Sequence, residues 1–335
     1  MPYPFFIFSI RIFWTKIQKV WIFIQLFCLY RYLFPKKYAI IKEINSHEEL
    51  CMPAIYTHAR FGEEVLTVLP PHLASLAQKH KQCFYLGTQG PDLLFYHKPF
   101  KSKAKNPARK KGWDLHAVPP EDFFLRGAKC LLNDKSNFDE AGNFTPESAD
   151  AAYLLGFLCH FTLDFTAHPY IDENSVDGLS HGKIESELDK HHFQKQGKKI
   201  RGFNTAKLFF PNEKAKKASA KILDVSEKES GRAMKTMRFI NGLFSNKCGL
   251  AHGFCHAVLS LLGMNKNGFG DMFIHKKDDE KASAMMPTLD ALFDEAVQRA
   301  NLVITEFFKN IQSSAKNNAL TNEIFRYNYS GIKED

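Results

Sequence analysis

Apolar residues recur along most of the chain at intervals of three and four positions. This is the spacing of a helix that buries one face. It covers residues 63–69, 73–83, 119–132, 145–167, 181–192, 215–262 and 286–312. No stretch of useful length alternates apolar and polar positions, as a half-buried strand does. The pattern therefore predicts an all-α protein with a single multi-helix domain.

Glycine and proline mark the connections between these helices. The sequence GTQGPD at residues 87–92 predicts a turn. Thr145 followed by Pro146 predicts the start of a long helix with proline at its first position, and Pro169 predicts its end. Residues 98–111 hold seven basic side chains, no acidic ones and two prolines, which is typical of an exposed loop.

The first 51 residues differ in composition from the rest, because they hold two of the three Trp but no Gly. Their longest uncharged run, residues 20–30, is shorter than the roughly 20 residues that a membrane-spanning helix needs. One interpretation is a basic, aromatic-rich helix over residues 1–41 that lies on a membrane surface. The other is that translation starts at Met52. The first predicts membrane association and the second a cytoplasmic protein.

The composition is that of a globular protein, with 44% hydrophobic and 24% charged residues, and it excludes a disordered chain. The net charge of +9 permits an anionic partner but does not identify one. The cysteines after Met52 are odd in number and show no paired spacing, which predicts buried free thiols. They are Cys83, Cys130, Cys159, Cys248 and Cys255.

The strongest chemical signal lies in the predicted helix GFLCHFTLDFTAHPY. His160, Asp164 and His168 are spaced i, i+4 and i+8, which places them on one stripe of the helix. Their neighbours are apolar, so the stripe is predicted to be buried. Buried ionisable groups are costly unless something compensates them, and a divalent cation would do so. Imidazole and carboxylate groups are suitable zinc ligands.

Further candidate ligands flank this stripe along the chain. His181 and Glu185 are again i and i+4 on a predicted helix that begins thirteen residues later, with Asp189 one turn further. Near the start of the helical region lie His58, in THARFG, and Asp92, in the predicted turn. His116 follows the basic segment. Each of these taken alone is more often structural than functional, since a turn Asp usually caps its own backbone.

Taken together, these residues resemble the zinc-dependent phospholipase C family, which shares its fold with fungal single-strand nucleases. The resemblance rests on PAIYTHARFG, FYLGTQGPDLLFYH, GFLCHFTLDFTAHPYI and HGKIESELD, and it covers most of residues 52–200. The bacterial phospholipase C/D-like branch is the most similar. The resemblance implies a helical domain over residues 52–315 built around a cluster of two or three zinc ions. Residues 316–335 are predicted to form a polar tail that frays.

The resemblance also implies the ligands of each ion. The first ion would be held by Asp92, His116, His160 and Asp164. The second would be held by Asp164, His58 and the amino terminus of the chain. The third would be held by His168, His181 and Glu185. His97 remains an alternative to His116, because the interval that contains the basic segment is longer than in the secreted enzymes. In that family the terminal residue is a Trp, whereas a chain that starts at Met52 would expose Pro53 after methionine removal.

The function implied is hydrolysis of the head-group phosphodiester of a phospholipid by metal-activated water, with Asp92 orienting the water as a catalytic residue. The alternatives are a zinc-dependent nuclease acting on single-stranded nucleic acid and a catalytically inactive, zinc-stabilised scaffold. Contact with a membrane surface is predicted through residues 98–111 or 1–41, and no obligate protein partner is evident. The pair His252 and His256, in HGFCH, is assigned to the helical core.

Overall fold

The computed structural model describes residues 54–99, 101, 103–176, 178–200, 203–243, 274 and 277–333. The predicted N-terminal extension and Pro53 lie outside the described residues, as do the HGFCH motif, Cys248 and Cys255.

The regular secondary structure of the described residues is helical, which confirms the all-α prediction. The α-helices are α1 Ile55–Val68, α2 Pro71–Lys79, α3 Lys81–Gly87, α4 Pro107–Ala117, α5 Glu121–Leu132, α6 Ala149–Asn174, α7 His181–Lys195, α8 Glu213–Leu223, α9 Glu227–Leu243 and α10 Glu280–Asn317. Short 3-10 helices cover Gly90–Tyr96, Lys103–Lys105, Lys135–Asn137, Thr205–Lys207 and Glu323–Arg326. In this part of the chain, β pairing is limited to isolated bridges. None of the helices described here combines the length and the apolar character needed to cross a bilayer.

Helix α6 is the centre of the domain. Every residue from Ala151 to Asp164 is buried, because α6 packs against α1, α3, α8 and α10. A helix that is apolar all round is one that the rest of a core encloses. His160 and Asp164 of the ionisable stripe on α6 therefore lie inside the protein, as their apolar neighbours predict, whereas His168 beyond them is partly exposed.

Two glycines let the backbones of α3 and α6 touch. A Cβ atom on Gly87 would lie 2.1 Å from the carbonyl oxygen of Tyr153, and one on Gly156 would lie 2.2 Å from that of Phe84. The segment that follows α3 therefore begins directly against α6. There Gly90 has a φ of 49°, and a Cβ atom on it would lie 2.1 Å from the His160 ring. Only glycine fits both this backbone conformation and this space.

The ends of α6 differ from the predicted ones. Ser148 caps the helix, its hydroxyl accepting a hydrogen bond from the backbone N–H of Ala151 at 3.1 Å, so α6 begins after Pro146. Serine is among the best N-cap residues, which explains why it sets the start. At the other end the helix continues through Pro169 to Asn174. Because proline has no N–H, the carbonyl of Phe165 loses its partner in the helix. The helix continues because neighbouring elements hold it in place.

The basic segment is folded, so the exposed loop predicted for residues 98–111 is wrong for much of its length. Helix α4 already begins at Pro107, with Asn106 as its N-cap. Arg109 is only 2% exposed, and its guanidinium donates to the carbonyl of Lys101 at 3.1 Å. Lys110 and Lys111 form ion pairs with acidic partners. Three of the seven basic side chains thus have partners within the fold, while Lys98, Lys101 and Lys105 are exposed.

The prediction of a frayed C-terminus is wrong for the described residues after α10. Ile324, Phe325 and Tyr329 are buried, and the Phe325 ring stacks on Phe161 of α6 with centroids 5.8 Å apart. In the sequence, the pair Ile324 and Phe325 and the single Tyr329 are surrounded by polar residues, so the overall composition of the segment predicts an exposed tail.

The three described cysteines are free, as predicted. Cys83 and Cys159 are buried, and Cys130 is half-buried.

The α3–α6 contact predicts the effect of a single methyl group. Gly156→Ala should lower the free energy of unfolding by about 1–3 kcal/mol, because the new Cβ forces the two backbones apart. Urea denaturation measures this change. In the matched control Gly231→Ala, the Cβ would meet only the flexible chain of Lys216, so stability should stay the same or rise. Equal stabilities of Gly156→Ala and the wild type would contradict the close approach.

Candidate metal centre

Asp164 is the centre of a buried cluster of ionisable side chains. One carboxylate oxygen lies 3.2 Å from Nε2 of His58 and 3.5 Å from Nε2 of His168. The other lies 3.0 Å from Nε2 of His160. Burial alone would raise the pKa of Asp164, but the charges of the three imidazoles hold it well below its usual range. The group is therefore a carboxylate whose charge is shared among three rings.

His58 reaches Asp164 from the first turn of α1. Its ring lies against the ring of His160, with centroids 4.3 Å apart. Burial lowers the pKa of His58, but the nearby negative charge and the hydrogen bond of Asp164 outweigh it and raise the value to about 9. The pKa of His160 is lowered by burial and by the neighbouring His58. The two rings thus differ in proton affinity although they face the same carboxylate.

Asp189 of α7 fixes the first turn of α1. The residue at the N-cap position of α1, Ala54, offers no side-chain acceptor to the free N–H groups there. Asp189 supplies it from another helix, accepting from the backbone N–H of Tyr56 at 3.0 Å and of Thr57 at 2.7 Å. It also accepts from the Thr57 hydroxyl at 2.8 Å. Burial raises the pKa of Asp189 to about 7 even though these donors favour the carboxylate. His58 follows Thr57 directly, so Asp189 holds its backbone in place.

Asp92, in the turn after α3, and His116, in helix α4, form a second group beside this cluster. Nε2 of His116 lies 3.0 Å from one oxygen of Asp92, and the other oxygen lies 3.9 Å from Nε2 of His160. Nδ1 of His116 is 2.8 Å from the carbonyl oxygen of Gly112. Because a carbonyl can only accept, Nδ1 carries the proton and Nε2 keeps its lone pair in the neutral ring.

A third group lies where α6 meets α7. One oxygen of Glu185 is 3.6 Å from Nε2 of His168 and 3.5 Å from Nε2 of His181. Nδ1 of His181 is 2.8 Å from Asp172, which orients the ring as carboxylates do behind metal-binding histidines. Burial opposes both shifts, but the pairing lowers the pKa of Glu185 to about 2 and raises that of His181 to about 10.

His97 does not join these groups. It follows the 3-10 helix that carries Asp92, and its Nδ1 lies 2.9 Å from the side-chain oxygen of Asn106, the N-cap of α4. Burial lowers its pKa. Of the two alternatives, the geometry supports His116 as the candidate ligand, while His97 ties the basic segment to α4.

The residues fit a cluster of metal ions. The described chain contains three groups whose potential ligand atoms lie within 4.8 Å of one another. They are His58 with His160 and Asp164, Asp92 with His116 and His160, and His168 with His181 and Glu185. Nε2 of His160 lies 3.0 Å from Asp164 without the geometry of a hydrogen bond, and the Glu185 oxygen that does not face His168 and His181 is buried without a hydrogen-bond partner. A set of imidazole nitrogens and carboxylate oxygens without thiolate suits zinc.

All eight candidate ligands predicted from the sequence lie in these groups. The sequence analysis did not predict the two carboxylates that support these ligands. Asp172 lies near the end of the long helix, and in the sequence Asp189 is only the acidic residue one turn after Glu185. No local pattern indicates that Asp189 contacts a helix 132 residues earlier in the chain.

Residues 57–243, more than half of the chain, match a family model described as zinc dependent phospholipase C. No curated protein and no solved structure matches the chain. The matched range includes the eight candidate ligands and both supporting carboxylates, but it ends before α10 and the segment that follows it.

Removal of the Asp189 carboxylate should loosen His58. We expect Asp189→Ala to weaken zinc binding at the His58 group by about 10–100-fold, the usual effect of losing a residue that orients a ligand. Zinc titration with metal analysis of the dialysed protein measures this, and the His168 group should keep its ion. The control is Gln194→Ala, an exposed position on the same helix. Unchanged zinc affinity in Asp189→Ala would show that the contact does not position His58.

Zinc binding should release protons. In the metal-free protein His58 and His181 have pKa values of about 9 and about 10, so both are protonated at pH 7. A metal ion binds only the unprotonated nitrogen, so zinc affinity should fall as the pH is lowered from 9 to 6. Burial lowers the pKa of His116, but Asp92 outweighs it and raises the value, so calorimetry at pH 7 in two buffers of different ionisation enthalpy should report two or more protons released, and one fewer for His58→Gln. Binding without proton release would contradict these pKa shifts.

Proposed function

The chain belongs to the zinc-dependent phospholipase C family, and on that premise we propose that it hydrolyses the head-group phosphodiester bond of a phospholipid. The observation that carries this proposal is the buried Asp164. Its two oxygens face different imidazoles, so it can bind one ion together with His160 and another together with His58. Two neighbouring metal ions would provide an arrangement that supports phosphodiester hydrolysis.

Zinc, when bound, would supply a water molecule acidified toward neutral pH and positive charge beside the phosphoryl oxygens. The side chains of this protein determine where that chemistry takes place. Asp164, His58 and His160 are buried and form the floor of the centre. Asp92 lies at the edge of this floor with both oxygens directed at imidazoles, from where it can also accept a proton from an attacking water and orient it.

The exposed edge of the cluster indicates where the substrate enters. The side chains of His116, His168 and His181 are 19%, 13% and 23% exposed, whereas those of His58 and His160 are buried. A phosphodiester would therefore approach across His116 and the His168 group. His168, His181 and Glu185 would then hold the ion nearest the leaving oxygen.

A nuclease would use the same ligands on a different substrate. The basic segment offered the main support for it, but Arg109 is buried and two of its lysines pair with aspartates. This leaves less free positive charge for a nucleic-acid backbone than the sequence indicates. The phospholipid substrate is therefore the one we favour.

The proposal is tested by replacing the shared carboxylate. Asp164→Asn should lose zinc and hydrolysis together, because the amide is a poor ligand and leaves the imidazoles without their counter-charge. Zinc content by mass spectrometry and turnover of phosphatidylcholine, phosphatidylinositol and single-stranded DNA are measured side by side. The control Asp150→Asn changes a carboxylate on the same helix that pairs only with Lys221 at the surface.

Full activity of Asp164→Asn would refute the assignment of the centre. Turnover of DNA alone would establish the nuclease, and a zinc-loaded wild type without turnover of any of these substrates would support the scaffold.

A further inference from the structure

The segment after α10 ends in a tight loop, residues 327–333. The side chain of Asn328 holds this loop in place. Its amide oxygen accepts hydrogen bonds from the backbone N–H of Ser330 at 3.0 Å and of Ile332 at 2.9 Å. The backbone N–H of Asn328 donates to the carbonyl of Ile332 at 2.8 Å. Gly331 has a φ of 70°, which favours glycine at this corner. The loop therefore has a defined conformation.

The loop is attached on both sides of the metal centre. The side-chain amide of Asn328 donates to the carbonyl of Ala117 at 3.3 Å, one residue after His116. The hydroxyl of Ser330 donates to Asp172 at 2.8 Å, and the other oxygen of Asp172 holds His181. The loop thus connects the Asp92 group with the His168 group. It lies outside the range that matches the family model.

Tyr329 stands between these two attachments and is only 1% exposed. Its ring centroid lies 4.9 Å from that of His116 and 5.9 Å from that of His160. On the other side the ring packs edge to face on Phe161 at 5.0 Å. Tyr329 therefore covers the imidazoles of the Asp92 group.

The hydroxyl of Tyr329 is buried without a hydrogen-bond partner among the described residues. Leaving such a group unpaired costs about 1–3 kcal/mol, so an acceptor bound at this position would be stabilised by it. An ordinary phenol is neutral at pH 7 and has a proton to donate.

We propose that Tyr329 is a further residue of the centre, whose hydroxyl donates a hydrogen bond to a phosphoryl oxygen bound beside Asp92, His116 and His160. This inference rests on the proposed function, because it requires the metal ions that hold a phosphate group there. A fixed donor near a developing negative charge contributes to binding and to turnover.

The test compares Tyr329→Phe with the wild type, both as full chains loaded with zinc. The ring packing is kept and only the hydroxyl is lost. We expect equal zinc content and a roughly 10–100-fold weaker affinity for inorganic phosphate by calorimetry, the usual effect of losing a hydrogen bond to a charged group. The matched control is Tyr327→Phe, on the same loop but with its ring against Phe165. Its phosphate affinity should equal that of the wild type.

Thermal unfolding of the metal-free proteins separates this role from a structural one. Because the hydroxyl has no partner among the described residues, metal-free Tyr329→Phe should be at least as stable as the wild type. Unchanged phosphate affinity, a lower zinc content or a lower melting temperature of Tyr329→Phe would each overturn the proposal, as would a zinc-loaded wild type that does not bind phosphate. A wild type that binds no zinc would instead refute the proposed function, and the role of Tyr329 with it.

Discussion

The structure depends on a carboxylate placed in the middle of an otherwise apolar core helix. An ionised group in such a position costs several kcal/mol unless counter-charges surround it. Asp164 meets this requirement with imidazoles from three directions: His160 one turn before it, His168 one turn after it and His58 from α1. The same constraint explains the chemistry, because the imidazoles that surround Asp164 are also groups that can bind a metal ion.

The ligands come from distant parts of the chain, yet contacts between backbones determine their positions. Gly87 and Gly156 bring α3 against α6, and Gly90 then lets the turn bearing Asp92 lie on the His160 ring. On the opposite side, Asp189 of α7 takes the place of a local cap for α1. The glycines allow these close approaches because they lack a side chain. Asp189 binds the backbone of Tyr56 and Thr57, next to the ligand His58. None of these residues is a ligand in any of the three groups, yet each decides where a ligand lies.

Local periodicity made the stripe on α6 predictable, since i, i+4 and i+8 spacing follows from helix geometry alone. His58, Asp92 and His116 needed the family resemblance, because single polar residues carry no local signal. Helix ends were predicted less well. The long helix begins after its N-cap Ser148 and not at Pro146, and it continues through Pro169 because its neighbours enclose it. Contacts between residues far apart, such as Asp189 with Thr57, cannot be derived from spacing.

The C-terminal segment shows how the remainder of the chain acts on a centre whose eight candidate side-chain ligands come from residues 57–243. Asp172 uses one oxygen for His181 and the other for Ser330. A shift of the loop would therefore move the acceptor that orients one histidine. The same loop packs the Tyr329 ring on His116 and ties Asn328 to the residue after it. The geometry of the two outer ligand groups is thus coupled through one loop. A protein with the same ligands but another C-terminal segment would surround its ions differently.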